Sequence, residues 1–463
     1  MQISGKKITV VGLGKTGDAL ARFLLKHKAC VTIADRRDEQ ELKPEISNMR
    51  NMGITVETGE HKLETFENAD LIILSPGVPH TISPILSALK KGVPITGEIQ
   101  FASDYIKEPI IAITGTNGKT TVTTLIGEML KKSGLKVFTG GNIGTPLIEY
   151  VNDNIKADVI VLEVSSFQLD TITTFNPKVS VLLNISKDHL DRYDTYQDYI
   201  LSKSKIFKNN STKSVAVVSG KDANVRKIAE KLKGDVLFFN GKKEDEKGAS
   251  YKENKIILNM LDGKIKELTT TDIKIAGHHN IENIAAAALA ALKVGGKISA
   301  IEETIKDFKG LPHRVEFVTT INNINFYNDS KATNTGAVET ALKCFDTPII
   351  LIMGGRKKGG GYSSLHKSIQ KNVKKIFAIG EAKELIYSDL INIVPVTCLP
   401  TLNEAVKQAF QNAVSKDIIL LSPSCSSFDS YTSYVQRGED FCSIVQGLKM
   451  ENINSKKDRE ILT

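Results

Sequence analysis

The sequence contains no tryptophan, and only five of its 463 residues are cysteine. The cysteines are scattered and include no C-x-x-C pair, which argues against a disulfide framework or a zinc site and for reduced thiols in a cytosol. No apolar run approaches the ~18 residues of a membrane span. The first residues also lack the apolar core and cleavage site of a signal peptide. We therefore expect a cytoplasmic chain with no membrane insertion.

The charge balance excludes a further class of function. The net charge of +8 is modest for this length, and the basic residues are not interleaved with aromatic residues as a nucleic-acid surface requires. Apolar residues make up 41% of the chain and charged residues 25%, as in globular proteins. We expect anionic small-molecule ligands, no nucleic acid, and about three domains of ~150 residues each.

The strongest local signal is a glycine-rich loop between an apolar run and a helical pattern. Residues 109–121 read PIIAITGTNGKTT. The loop N–H groups, the helix N-terminus and Lys119 present positive charge to an anion, and the hydroxyl of Thr120 suits a magnesium ion beside nucleotide phosphates. Ile113 replaces the first glycine of the usual P-loop spacing, but the shorter G-x-x-G-K-T pattern remains. The segment predicts a nucleoside triphosphate site, with an ordinary glycine turn as the alternative.

The first part of the chain carries a second phosphate-binding pattern. A strand at Lys7–Val11 leads into GLGKTG at residues 12–17, and Asp35 ends the next strand about 18 positions later. This is the G-x-G-x-x-G fingerprint with an acid placed for a ribose contact, although the same glycines admit any pyrophosphate, including that of a UDP-sugar. The strand Leu71–Leu74 runs into a rigid SPGVP turn, again where such sheets bind ligands. The pattern predicts a nucleotide-binding Rossmann-like domain, with a glycine-lined turn without ligand as the alternative.

Polar residues end two further buried strands in the central region. Glu163 follows the strand Val159–Leu162, where a magnesium ligand is wanted beside a phosphate loop; a helix-starting glutamate is the alternative. His189 follows the next such strand, and both a capping role and a metal-ligand role stay open. Lys203 lies in the basic helical stretch Tyr199–Lys208, for which residue chemistry predicts a solvated side chain.

In the last third of the chain, short apolar runs alternate with helical patterns, which predicts a parallel sheet with crossover helices. Its apolar runs are Ile324–Tyr327, Pro348–Met353, Ile376–Ile379 and Ile418–Leu421. Three of them end in polar sequence, NDSKATN, GGRKKG and SPSCSSFD, which indicates one binding edge. The whole sequence therefore predicts an α/β protein of three domains. These are a Rossmann-like N-terminal domain (1–97), a P-loop-type central ATP-binding domain (98–310) and a Rossmann-like C-terminal domain (311–463).

Seven motifs occur in a fixed order along the chain: GTNGKT, GGNIGTP, EVSSFQL, NISKDHLDRY, GHHNIEN, GLPHRVE and NDSKATN. In this combination the chain resembles the Mur ligases of bacterial cell-wall synthesis. NDSKATN, SPSCSSFDSY and QRGEDF are similar to the segments of those members that add D-glutamate. The resemblance implies a monomer that uses ATP to join D-glutamate to UDP-N-acetylmuramoyl-L-alanine through an acyl phosphate, in the synthesis of peptidoglycan precursors.

The resemblance also implies roles for individual residues. The catalytic set is Lys119, Glu163, His189 and Lys203. The ATP-binding set is Gly115, Thr116, Asn117, Gly118, Lys119, Thr120, Thr121, Asn283, Arg314, Asp329 and Lys331. The first domain and its neighbours would bind the UDP-sugar through Gly14, Lys15, Thr16, Asp35, Arg37, Gly77, Asn142, Ser165 and Gln168. D-Glutamate would meet Lys358, Ser427 and Phe428.

The same resemblance implies two magnesium sites, held by Thr120, Glu163, His189 and a carbamate on Lys203 derived from carbon dioxide. An ammonium group repels a metal ion, whereas a carbamate offers it two hard oxygens and a negative charge. Two positions depart from the family pattern. Arg36 stands where a small hydroxyl residue is frequent, and Tyr434 where phenylalanine is expected.

Other classes of function fit the sequence less well than a ligase does. A nicotinamide-dependent oxidoreductase would explain the first-domain fingerprint but leaves the GTNGKT loop, Glu163 and the segment 329–331 without a role. A non-catalytic nucleotide or UDP-sugar sensor would require an incomplete catalytic set, yet Lys119 and Lys203 are both present. Within the ligases, another amino-acid specificity or a folylpolyglutamate synthetase is the nearest competitor.

Overall fold

The computed structural model describes residues 2–188, 192–241, 246–275, 277–356 and 361–461. Within these ranges the chain forms three β-sheets flanked by helices, which confirms the predicted α/β class. In the same part of the chain, no helix has both the length and the hydropathy that crossing a bilayer needs.

The N-terminal region alternates strands and helices regularly. Its elements are β1 (Lys7–Val11), α1 (Lys15–Lys26), β2 (Cys30–Asp35), α2 (Lys43–Asn51), β3 (Thr55–Thr58), α3 (Leu63–Glu67), β4 (Leu71–Leu74), α4 (Ser83–Lys90), β5 (Ile95–Gly97) and α5 (Glu98–Ser103). The described strands pair in parallel in the order β3-β2-β1-β4-β5. The strand order reverses between β1 and β4, and ligands bind in the crevice that such a reversal opens.

The central region builds the largest sheet. Its elements are β6 (Ile110–Thr114), α6 (Lys119–Lys132), β7 (Val137–Gly141), α7 (Leu147–Asn152), β8 (Val159–Glu163), α8 (Ser166–Leu169), β9 (Val179–Leu182), α9 (Tyr196–Ser204), a 3-10 helix (Lys205–Phe207), β10 (Val215–Ser219), α10 (Ala223–Ala229), β11 (Asp235–Phe239), β12 (Gly248–Lys252), β13 (Lys255–Asn259), β14 (Ile265–Thr269), α11 (His278–Leu292) and α12 (Ile298–Asp307). The order is β14-β13-β12-β11-β10-β9-β6-β8-β7, antiparallel only in the β12–β13–β14 meander. Every residue of β6 is buried, as expected for a strand covered on both faces.

The C-terminal region holds the third sheet. Its elements are β15 (Glu316–Ile321), β16 (Ile324–Asn328), α13 (Thr335–Leu342), β17 (Ile349–Gly354), a 3-10 helix (Ser363–Leu365), α14 (His366–Asn372), β18 (Val373–Ile379), α15 (Lys383–Leu390), β19 (Val396–Cys398), α16 (Leu402–Asn412), β20 (Ile418–Leu421) and α17 (Tyr434–Ile461). The order is β15-β16-β20-β17-β18-β19, with apolar cores on both faces. Because β16, β20 and β17 are neighbours and parallel, their polar ends share one edge.

The chain divides into two compact units. One unit comprises residues 1–185, 192–272 and 282–306 and contains the first two sheets. The other comprises residues 186–191, 273–281 and 307–463 and contains the third sheet.

Candidate functional site

The phosphate-type loop lies between β6 and α6 and depends on two glycines. Gly115 and Gly118 have φ angles of +152° and +87°, in the region that residues with a Cβ rarely adopt. A Cβ on Gly118 would also lie 2.7 Å from Oδ1 of Asn283. The loop therefore brings Asn283 against the start of α6, where backbone N–H groups are available to an anion.

Two lysines meet at this loop. Nζ of Lys119 donates to the carbonyl oxygens of Gly115 and Thr116, each at 2.9 Å. Nζ of Lys203 donates to the same Gly115 oxygen at 2.8 Å. The prediction of a solvated Lys203 is wrong, because the side chain is only 2% exposed and its ammonium group lies 4.7 Å from the ring centroid of Tyr199. Residue chemistry could not foresee this, since the burial comes from α9 packing against the loop.

Glu163 ends β8, directly beside Ile113 of β6 in the parallel register. Its side chain is buried, and Oε1 accepts a hydrogen bond from Nδ2 of Asn142 at 2.9 Å. Oε2 is also buried, and it has no hydrogen-bond partner among the described residues. A buried carboxylate oxygen without a partner is costly, and a cation would satisfy it. The local structure therefore fits a magnesium ion, which proteins often bind through one or two carboxylates together with phosphate oxygens.

A groove of about 490 Å³ lies in the same compact unit, between the glycine loop after β1 and the segment after β7. Seven of the nine residues predicted for the UDP-sugar line it: Gly14, Lys15, Thr16, Asp35, Arg37, Gly77 and Asn142. Ser165 and Gln168 do not. They form the capping box of α8, and Nε2 of Gln168 is buried without a hydrogen-bond partner in the described part of the chain.

Asp35 has a structural task in this groove. Its Oδ2 accepts from the backbone N–H of Leu13 at 2.7 Å, and Arg37 pairs with it at the same distance. Burial alone would raise the pKa of Asp35, but the hydrogen bonds from Arg37 and Leu13 outweigh it and hold the pKa below its usual value. The carboxylate therefore fixes the glycine loop, and its contact with a ribose stays a prediction.

The third sheet carries its own buried acid. Asp329, directly after β16, accepts from Oγ of Ser422 at 2.8 Å and from the N–H of Val315 at 3.2 Å. Burial raises the pKa of Asp329 to about 7, against the effect of these bonds and of the charge on Arg314. Nearby, Nζ of Lys331 lies 4.8 Å from the ring centroid of Tyr434. A phenylalanine there would offer the lysine the same aromatic face.

Comparison with known proteins identifies related domains in all three regions of the chain. Three domain models match in order: "Mur ligase MurD-like, N-terminal domain" at residues 6–97, "Mur ligase middle domain" at 113–291, and "Mur ligase, glutamate ligase domain" at 313–425. A protein of Desulfatibacillum aliphaticivorans named UDP-N-acetylmuramoylalanine--D-glutamate ligase is 46% identical, over 97% of this chain and all of that protein. The chain belongs to the Mur ligase family.

Two further comparisons extend this result. A protein of Desulfosudis oleivorans with the same name is 44% identical over 97% of this chain and 98% of its own length. The solved structure of a pseudomurein peptide ligase type C from Methanothermus fervidus has a TM-score of 0.62 at 21% identity. It covers 96% of this chain and all of that chain, so it supports the fold.

Sequence reasoning missed two buried residues of this Mur ligase. Glu98, at the start of α5, is 1% exposed and accepts from the N–H of Ile148 in α7 at 2.7 Å. Burial raises the pKa of Glu98 to about 7, although the backbone bonds from Ile148 and Leu147 oppose the shift. Because α7 follows a segment that lines the 490 Å³ groove, Glu98 anchors one wall of that groove. No local pattern marks this role.

The second missed residue is Arg437 in α17, whose side chain is almost fully buried. Its guanidinium donates to the backbone oxygens of Ser330 and Cys425 at 2.9 and 3.0 Å and to that of Gly354 at 3.3 Å. Arg437 thus ties together the segments that follow β16, β17 and β20. Burial lowers its pKa to about 10. The QRGEDF motif contains Arg437 and could have pointed to it, but the motif alone does not indicate that the arginine is buried.

The residues predicted for the amino acid are only partly described. Ser427 is buried and follows β20, whereas the side chain of Phe428 is 60% exposed. Lys358 lies outside the described residues, and so does His189, which was predicted as a metal ligand.

Proposed function

We propose that this chain is the Mur ligase that joins D-glutamate to UDP-N-acetylmuramoyl-L-alanine, with ATP as the energy source, in peptidoglycan precursor synthesis. The observation that carries the proposal is a phosphate loop next to Glu163, a buried carboxylate with one oxygen that has no hydrogen-bond partner among the described residues. The chain that holds this pair matches ligases of that name over nearly its full length. It implies a cytoplasmic enzyme that acts as a monomer.

The three regions divide the work. The N-terminal region, residues 1–97, holds the uridine nucleotide, and its glycine loop receives the pyrophosphate. Lys15 and Arg37 supply positive charge in the groove that this loop lines. The central region, 98–310, binds ATP at the phosphate loop. The C-terminal region, 311–463, receives D-glutamate at the edge where β16, β17 and β20 end, through Lys358, Ser427 and Phe428.

Several groups of the chain balance the negative charge of ATP. Lys119 neutralises the β- and γ-phosphates, because it extends from the first residue of α6 over the loop. The N–H groups at the start of α6, from Gly118 to Thr121, cradle the same phosphates, whereas those of Thr116 and Asn117 already donate to Asn184. We assign the remaining ATP contacts to Asn283, Arg314, Asp329 and Lys331.

Two magnesium ions would be held by Thr120, Glu163, His189 and a carbamate on Lys203. They would supply positive charge to the phosphate oxygens during transfer. The open Oε2 of Glu163 and the buried position of Lys203 support this assignment. A carbamate forms when the lysine amine adds to carbon dioxide and a proton leaves. It would replace positive charge with negative charge beside the loop.

The reaction proceeds in two transfers. The substrate carboxylate attacks the γ-phosphorus of ATP, the bond to the bridging oxygen breaks, and ADP leaves with an acyl phosphate formed. The amine of D-glutamate then attacks the carbonyl carbon and loses a proton, and phosphate departs from the tetrahedral intermediate. Negative charge accumulates at each stage near Lys119, so fixed cations stabilise both transition states.

An ADP-release assay with UDP-N-acetylmuramoyl-L-alanine and a panel of amino acids tests the proposal. D-Glutamate should give the strongest signal, and L-glutamate, L-alanine, diaminopimelate and lysine should stay near background. An equal signal from L-glutamate would contradict the assigned specificity. Titration with NADH checks the oxidoreductase alternative, for which enhanced NADH fluorescence is the expected sign.

A further inference from the structure

A groove of about 390 Å³ lies between α9 and α10, on the compact unit that holds the phosphate loop. It shares no lining residue with the UDP-sugar groove. None of the residues assigned above to ATP, magnesium or D-glutamate lines it either. The proposed reaction therefore leaves this groove without a function.

The floor of the groove is apolar. Ile200 and Phe207 are buried there, and Ile228 and Leu232 are half-buried. Leu201, which also lines the groove, leaves 52% of its surface exposed although it is a large aliphatic residue. An apolar chain laid along the groove would remove this surface from water, at about 25 cal/mol for each Å² buried.

The rim is cationic. Lys227 of α10 and Lys231 just after it are exposed, and neither forms an ion pair with another described residue. Lys208 also lines the groove and donates to the carbonyl oxygen of Ile172 at 3.1 Å. No aspartate or glutamate is among the described residues that line the groove. Because Lys227 and Lys231 line the same groove, both can reach a single anionic group bound there.

We propose that the α9–α10 groove binds a small anionic amphiphile, namely a carboxylate head group on a medium-length hydrocarbon chain. Its charge meets Lys227 and Lys231, and its chain covers Leu201 and the apolar floor. The volume falls within the ~300–1,000 Å³ range of small-molecule sites.

Two other occupants fit less well. α9 and α10 have nine and seven residues, which offer little of the ~1,200 Å² that a stable protein interface buries. A second copy of this chain is disfavoured as well, because each copy carries a net charge of +8 and the groove is itself basic.

The groove is coupled to the phosphate loop through α9. Gln197, Ile200 and Leu201 of this helix line the groove. On the same helix, the hydroxyl of Tyr199 lies 3.1 Å from Oγ1 of Thr116, and Lys203 donates to the Gly115 carbonyl. A ligand that shifts α9 would therefore move side chains that touch the loop, so binding in the groove should change the affinity for ATP. This second step rests on the proposed function.

Calorimetric titration of the full-length protein with decanoate, below its micelle-forming concentration, tests the site without ATP or other substrates. We expect saturable binding to one site. The double variant Lys227→Ala/Lys231→Ala should weaken it about tenfold, which is the loss of two partly exposed charge contacts. The control Lys156→Ala/Lys213→Ala removes the same charge from exposed positions elsewhere on this unit and should bind like the parent.

Decyltrimethylammonium has a similar chain and the opposite charge. Equal binding of this cation, or unchanged decanoate binding in Lys227→Ala/Lys231→Ala, would overturn the site. The coupling is read separately as the KM for ATP in ADP release. Saturating decanoate should change it about fivefold in the parent and not in the double variant. Decanoate binding with an unchanged KM would refute the coupling alone, and absence of ADP release would refute the proposed function without touching the binding result.

Discussion

Lys119 and Lys203 donate hydrogen bonds to one acceptor, the carbonyl oxygen of Gly115, from opposite parts of the central region. Lys119 is the first residue of α6, and Lys203 is the last residue but one of α9. Two ammonium groups on one oxygen concentrate positive charge at the loop as long as Lys203 is unmodified, and the proposed carbamate would reverse the contribution of Lys203. The two lysines differ in exposure, since only Lys203 is almost fully buried. This difference fits the separate roles proposed for them, phosphate binding for Lys119 and metal binding for Lys203.

Replacing Lys119 with alanine should lower ADP formation by at least ~100-fold, because the variant loses a full charge at the transferring phosphate. The fold should persist, since Lys119 is only partly buried. Steady-state ADP release and thermal unfolding measure the two effects. Lys131→Ala, an exposed position on the same helix, is the matched control. Near-normal turnover in Lys119→Ala would contradict the site.

Glu163→Gln should weaken magnesium binding on the order of 100-fold, because an amide oxygen is a poorer ligand than a carboxylate. The bond from Asn142 can persist, since the glutamine oxygen still accepts it. Binding of manganese with ADP, followed by electron paramagnetic resonance, measures the loss directly. Glu230→Gln alters an exposed carboxylate and should bind the metal as the parent does. Undiminished affinity in Glu163→Gln would exclude Glu163 as a ligand.

Lys203→Ala should be nearly inactive and should recover part of its turnover when a short carboxylic acid such as acetate is added. The acid would occupy the cavity left by the side chain and replace the carbamate oxygens. The control Lys205→Ala breaks the ion pair with Asp170, and Lys205 is more exposed than Lys203. This variant should stay active and show no response to acetate. Inactivity of Lys203→Ala without any rescue would leave a structural role, the bond to Gly115, as its explanation.

Glu98 should make the stability depend on pH. Its pKa of about 7 in the folded protein exceeds the ordinary 4.5, so the folded chain keeps a proton that the unfolded chain releases. The contribution of protonated Glu98 to the free energy of unfolding is therefore complete below about pH 4.5, and it is lost as the pH rises toward 7. In Glu98→Gln, the free energy of unfolding relative to the parent should increase by roughly 3 kcal/mol across this range. Denaturant titrations at several pH values measure it, and parallel curves for the two proteins would contradict the assignment.

Much of the fold followed from local pattern. The strands Lys7–Val11 and Ile418–Leu421 lie where they were predicted, because buried parallel strands are uninterrupted apolar runs. Strands such as Thr55–Thr58 and Ile265–Thr269 were not predicted. They are short and polar, and they exist because neighbouring strands offer them hydrogen bonds.

The site divides in the same way. The phosphate loop and Glu163 could be predicted because strand ends and glycine spacing are local features. Burial of Lys203, Glu98 and Arg437 could not, since each depends on packing between segments distant in sequence. The charged residues that hold a site together are therefore the ones a sequence pattern conceals.

The open Oε2 of Glu163 and the open Nε2 of Gln168 have an evolutionary consequence. Both groups were removed from water on folding without gaining a partner within the described chain, so each leaves the protein less stable than its packing allows. A substitution that removes either open atom but keeps the other hydrogen bonds of the side chain should raise the melting temperature. Selection for heat resistance alone would favour such replacements, and it would remove the metal and substrate contacts proposed for these two residues.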